Sequence, residues 1–115
     1  MAESFRVDVV SPEAVVWSGE AELVTARTTE GDIGIMAGHE PTMAALATGS
    51  AEIHAGTDKV TVAVHGGFLQ IYRNQVTLLS DRAEIVEGDA DAAREHAQAL
   101  RQAEETALDE DDQSE

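Results

Sequence analysis

Cysteine is absent from the 115 residues, which excludes disulfides and thiolate metal centres. Aromatics are scarce, with one Trp, one Tyr and two Phe. A core must therefore be built from Val, Ile, Leu and Ala, and there is little material for aromatic sugar-stacking platforms. Basic residues are few: seven Lys and Arg stand against 23 Asp and Glu, a formal net charge of -16. Such a chain is repelled by phosphate backbones and anionic lipid, so nucleic acid is not an expected partner. No run approaches the roughly 18 apolar residues that a membrane helix needs. The opening Met-Ala-Glu-Ser-Phe-Arg has no basic region followed by an apolar block, so no secretory signal is expected. Proline occurs only twice, at Pro12 and Pro41, and each reads as part of a turn.

What is present is short alternation. Phe5, Val7 and Val9 alternate with Arg6 and Asp8, the period of a half-buried strand. Ala14 to Trp17 reads as a second strand closed by Ser18-Gly19, with Trp17 packing in the core or at its rim. Glu22 to Thr28, the pair Ile33 and Ile35, Met43 to Ala47, and Ala51 to Ala55 follow. Ala55-Gly56-Thr57-Asp58 is a hairpin turn into Val60 to Val64. Gly66-Gly67 allows a bulge or bend, after which Phe68 to Tyr72, Val76 to Leu79 and Ala83 to Val86 complete about ten strands. Ten strands with turn signals every eight to twelve residues predict a sandwich or a barrel.

The texture changes at Gly88. Asp89 suits an N-cap, Asp91 sits in a first turn, and an alanine-rich segment runs to about Leu108, predicting a helix. Ala93, Ala97, Leu100 and Ala107 mark one face, too thin for a helix to stand alone in water. Three regions are expected: a β domain over 1–87, a helix over 88–108, and a disordered acidic tail over 109–115. The last 27 residues hold ten acids and two bases, so charge is concentrated there.

No nucleophile-elbow, P-loop or zinc-helix spacing occurs, so neither an enzyme nor a cofactor is expected. His54 and His65 are placed by the pattern across one hairpin, two ligands without a third, and are read as sheet residues rather than metal ligands. His96 is read as a solvated helix residue. The distinctive stretch is Glu30-Gly-Asp-Ile-Gly-Ile-Met-Ala-Gly-His-Glu-Pro-Thr, with three glycines and a proline around a short apolar core. It reads as a turn, a very short strand and a second turn, with His39 presented outward and a partly apolar tip suited to contact.

That stretch resembles the loop signature of the epsilon subunit of F-type ATP synthases (the delta subunit in mitochondria). So do Val64-His-Gly-Gly-Phe-Leu-Gln-Ile, Asn74-Gln-Val-Thr-Leu-Leu-Ser-Asp-Arg-Ala-Glu, and Val7-Asp-Val-Val-Ser-Pro-Glu with Trp17-Ser-Gly. The resemblance implies a mainly β chain: a ten-stranded β-sandwich followed by C-terminal α structure, here one helix where the family has two. It implies a non-catalytic central-rotor subunit that joins gamma to the c-ring and couples proton flow to ATP synthesis. Alpha and beta subunits would be met through the helix, with some regulation of ATP hydrolysis. The location implied is the cytoplasmic face of a bacterial cell membrane, reached only through the complex. The c-ring contact would be made by Glu30, Asp32, Ile33, Met36, His39 and Glu40. Asp91 and Arg94 keep the spacing of the family's ATP-binding segment, but Ala90 and Glu95 flank them and the basic second helix is missing. The competing reading is a free-standing sandwich that binds a small ligand such as a carbohydrate.

Overall fold

The computed structural model describes residues 3–113, with side chains placed through Thr106 except that of Ala90. The strands are β1 Phe5–Val10, β2 Val15–Ala21, β3 Leu23–Thr28, β4 Gly31–Ile35, β5 Thr42–Ala45, β6 Gly49–Ala55, β7 Asp58–His65, β8 Phe68–Tyr72, β9 Gln75–Leu79 and β10 Arg82–Val86; helix α1 is Ala90–Gln113. They form two five-stranded sheets, ordered β2-β1-β9-β8-β5 and β10-β7-β6-β3-β4. The fold is thus a sandwich, not a barrel. All pairings are antiparallel except β1 with β9.

The period-two pattern explains the core. Val7 and Val9, Val24 and Ala26, Ala51 and Ile53, Val62 and Val64, Leu69 and Ile71, and Val76 and Leu78 all point inward and are buried. Successive side chains on a strand face opposite ways, so the intervening residues form the outer faces. At Gly67 the chain leaves β7 for β8 with φ 101°. A Cβ there would collide with the carbonyl oxygen of Leu79 and lie 2.6 Å from Ser80 Cα. Only glycine fits that crossing.

Two elements differ from the sequence expectation. Strand β2 does not stop at Trp17 but continues through Ser18 and Gly19 to Ala21. Gly19 gives room rather than a turn: a Cβ on it would lie 2.9 Å from the Trp17 ring, so the indole folds along its own strand. Trp17 itself is partly buried at the edge of the core.

Helix α1 stays helical through Gln113, five residues past Leu108 and into the segment expected to be a disordered tail. Once nucleated, a helix adds one hydrogen bond per residue, and Asp and Glu oppose this by only a few tenths of a kcal/mol each. Of that tail, Ser114 and Glu115 lie outside the described residues. At the other end Asp89 caps the helix as expected, its Oδ1 accepting from Ala92 N at 3.0 Å.

The helix lies on the outer face of the second sheet. Ala93 and Ala97 are fully buried against Ala63 of β7, flanked by Val86 and Leu100. Small residues on both sides allow close approach, and this cluster is separate from the sandwich core.

Candidate functional site

The six residues expected to share one contact tip do not share one. Strand β4 runs inside the second sheet, pairing with β3 from Val24↔Ile35 to Thr28↔Gly31. Glu30 therefore lies at one end of the sandwich and Met36 at the other, about 20 Å away at strand rise. At the first end the β3–β4 turn is held by Thr28, whose Oγ1 donates to Gly31 O at 2.7 Å and accepts from Glu30 N at 3.1 Å. Asp32 is exposed and faces Arg27 at 3.5 Å. A backbone bond from Thr29 N to Ala45 O ties this turn to the first sheet.

At the opposite end, Met36 is exposed and His39 Nδ1 donates to Glu40 O at 2.8 Å. Gly38 N donates to Asn74 Oδ1 at 2.8 Å, so the β8–β9 turn steadies this loop. Arg73 and Asn74 both have positive φ, 49° and 58°, as a two-residue hairpin turn requires. Ile33 belongs to neither tip: it is partly buried against the sandwich core, because its position opposite Ala26 turns it inward.

The histidine expectation also changes. His54 stands opposite Lys59, whereas His65 stands opposite Arg82, so the two occupy opposite ends of the β6–β7 hairpin. Among the described residues no group of three or more potential metal ligands exists. His96 is not freely solvated; its Nε2 lies 2.8 Å from Glu84 Oε2.

A larger surface was missed by sequence reasoning. On the outer face of the first sheet, the pairings Val10↔Val15, Val10↔Leu79, Phe68↔Leu79 and Ala45↔Phe68 set an apolar row across all five strands. Val15, Leu79 and Phe68 in that row, and Met43 beside it, are each 48–67% exposed. The row lies at the Glu30–Asp32 end, since Ala45 bonds to Thr29. Its signal was present in Phe68–Tyr72: once Leu69 and Ile71 fill the core, Phe68 and Tyr72 must face outward.

Beside the row is a fixed polar centre. Asp8 Oδ1 accepts from Ser18 Oγ at 2.5 Å and from Arg6, while Asp8 Oδ2 accepts from Gln75 Nε2 at 2.7 Å. The Ser18 hydroxyl, then Gln75 and Arg6, hold the Asp8 carboxyl below its ordinary pKa, against the opposing effect of burial. Three strands are thereby locked together on this face.

The outer face of the second sheet is different. Helix α1 covers part of it, leaving a groove of about 580 Å³ lined by Arg27, Asp32, Ser50, Glu52 and Arg94 among others. Arg94 is ion-paired with Asp91 and Arg27 with Asp32. The cations are matched by carboxylates, so the groove offers no surplus positive charge to a phosphate.

A sandwich with an exposed apolar row across one face and the other face capped by its own helix defines a protein-contact module. The sequence pattern of the ATP synthase delta/epsilon chain β-sandwich domain matches residues 4–86. The chain belongs to that family and is a subunit of the F-type ATP synthase, the epsilon chain in bacterial nomenclature. It is 44% identical over 95 residues to the ATP synthase epsilon chain of Streptomyces avermitilis, covering 82% of this chain and 76% of that one. The epsilon chain of Frankia casuarinae is 41% identical over 81 residues, 70% of this chain but 95% of the relative. Among solved structures, a chain of the Euglena gracilis mitochondrial ATP synthase assembly of OSCP, F1 and c-ring matches with a TM-score of 0.66 and 27% identity, over 85% of this chain and 62% of that one. A chain of the Tetrahymena thermophila central stalk and c-ring shares the fold, with a TM-score of 0.60 and 14% identity over 71% of this chain and 66% of that one. These likenesses set aside the free-standing carbohydrate-binding module.

Proposed function

We propose that this chain is a non-catalytic rotor subunit that seats the bare face of its first sheet on gamma and its Glu30–Asp32 end on the c-ring. The observation that carries this reading is the apolar row Val15–Val10–Leu79–Phe68–Ala45. It is an exposed apolar row across one sheet, and the opposite sheet already carries α1. A contiguous patch of this kind marks a protein interface. Because the row ends beside the β3–β4 turn, one docked partner and a second at the adjoining end meet the same corner of the sandwich. Glu30 and Asp32 there suit polar or basic ring loops. Met36, His39 and Glu40 lie at the far end and serve the gamma side or none.

Torque transmission asks for a stiff body, and two sheets locked by a continuous aliphatic core provide one. The chain is held at the cytoplasmic face of the membrane through these partners. Contact with alpha and beta subunits falls to α1, and nucleotide binding by Asp91 and Arg94 is weak or absent because the two residues neutralise each other.

The test is Phe68→Asp with Leu79→Asp. Both side chains are about half exposed, so the melting temperature of the isolated chain should move by only a few degrees. Capture of gamma should fall at least tenfold, since two desolvated charges would replace apolar contacts. Normal capture of gamma by a folded double variant would overturn the assignment of this face.

A further inference from the structure

The apolar row fills only one strip of the first sheet's outer face. A strip across five strands is about 24 Å wide and about 7 Å deep. That is well short of the ~800 Å² that each side of a specific interface covers, so a partner seated on the row must cover more of the sheet. The rest of the face is polar but poor in charge. Strands β9, β8 and β5 adjoin in that order and hold no charged residue, although 26% of the chain is charged. The outer face of the second sheet, by contrast, carries Arg27, Asp32, Glu52, Lys59 and Glu84 on its strands. Depletion of charge is the compositional mark of the centre of an interface.

Beside the apolar row runs a second one, displaced by two residues along the strands. The pairings Asp8↔Ser18, Asp8↔Thr77, Gln70↔Thr77 and Met43↔Gln70 carry it across all five strands. Thr77 lies between buried Val76 and Leu78, and Gln70 between buried Leu69 and Ile71, so both side chains point out of the sheet. We propose that gamma covers this row too, and that Thr77 and Gln70 bond to uncharged groups of gamma, peptide units or amide and hydroxyl side chains. The inference rests on the gamma assignment above and adds the chemistry of the contact.

Charge decides which partner groups fit. The charged residues of this face, Arg6, Asp8 and Glu20, all stand on β1 and β2. Asp8 is the one carboxylate in the second row, and its own chain already supplies it with donors from Ser18, Gln75 and Arg6. Burying a carboxylate without donors is costly; with three of its own, Asp8 can be covered without a cation from the partner. A lysine or arginine of gamma would find Asp8 already paired with Arg6, and a carboxylate of gamma would be repelled by it. Thr77 and Gln70 each donate and accept, which suits peptide groups and amides.

Capture of gamma by the full chain tests this with Thr77→Val and Gln70→Leu combined. The two changes keep size and strand propensity while removing the hydrogen-bonding atoms. The melting temperature should hold within a few degrees. Capture should fall at least about fivefold, because groups of gamma are left covered without a bond. Gln70→Glu, a change of charge at an exposed position, should also weaken capture and gives a second reading if the double variant folds poorly. Phe68→Asp with Leu79→Asp is measured beside them. Loss in that variant with normal capture by Thr77→Val and Gln70→Leu would overturn this inference and leave the face assigned to gamma. Normal capture by all three would overturn both. Tighter capture by Gln70→Glu would mean that gamma brings a cation to the row, and the proposal would fall.

Discussion

Asp8 shows how a single side chain organises a face. It lies on β1, between two neighbours in the sheet, and collects Ser18 from β2 and Gln75 from β9 as well as Arg6 from its own strand. Alternation marked it as outward-facing, but not its partners, because strands 67 residues apart in sequence meet only through the parallel β1–β9 pairing. Its carboxyl is held below the ordinary value chiefly by Ser18. The folded pKa is the lower one, so the stabilisation is complete above the unfolded value of about 3.9 and is lost as pH falls through and below it. Melting curves of the wild type and Asp8→Asn should therefore differ from pH 7 to 5 and converge toward pH 3. A gap that persists undiminished at pH 3 would show that the charge is not what Asp8 contributes. Trp17 and Gly19 make the complementary point. Ser-Gly is a turn signal in sequence, yet here the glycine makes room for an indole, a purpose visible only once the ring's direction is known.

At the scale of elements, strands were legible wherever alternation was strict, as in β1, β6, β7 and β8. The stretch from Glu30 to Thr42 was legible as turn, strand and turn, but not as the crossing of a sheet from end to end. Gly31, Gly34 and Gly38 suggested a loop, whereas β3 pairing draws Gly31–Ile35 into the ladder. That is tertiary context overriding local propensity. The helix was legible by composition and cap, and its length was underestimated because acidic residues were read as solvating rather than helical.

Its packing predicts a separable element: the buried alanines of α1 touch Ala63 and Val86, on the opposite side of the second sheet from the main core. A chain ending at Gly88 should melt cooperatively with a β-type circular dichroism spectrum, less stable by about 1–3 kcal/mol for the burial lost over Ala63 and Val86. Loss of the cooperative transition would show that α1 completes the fold.

For the whole molecule the decisive feature is polarity of its ends. The sandwich carries its apolar row and the Glu30–Asp32 turn at one end, and the Met36–Glu40 loop with Arg73 and Asn74 at the other. Helix α1 starts near the second end, where β10 finishes, and reaches His65 and Arg82 at the first. Sequence order alone placed Glu30 and Glu40 together; a five-residue strand separates them. The two ends can therefore be tested against each other by charge reversal, of two residues at the first end and of one at the far end. Reversal at the first end, Glu30→Lys with Asp32→Lys, removes the Arg27 partner and, on the proposed ring contact, sets like charges against any basic group it meets. Single exposed pairs are worth only about 0–1 kcal/mol, but a double reversal replaces attraction by repulsion at a desolvated contact. Proton-driven ATP synthesis in reconstituted vesicles should drop several-fold. Glu40→Lys at the far end should leave it within about a factor of two, because a charge there lies beyond a Debye length, about 8 Å at physiological salt, from the first end. Equal loss from both variants, with each still folded, would mean that the partners embrace both ends. Loss from Glu40→Lys alone would move the ring contact to the Met36–Glu40 loop.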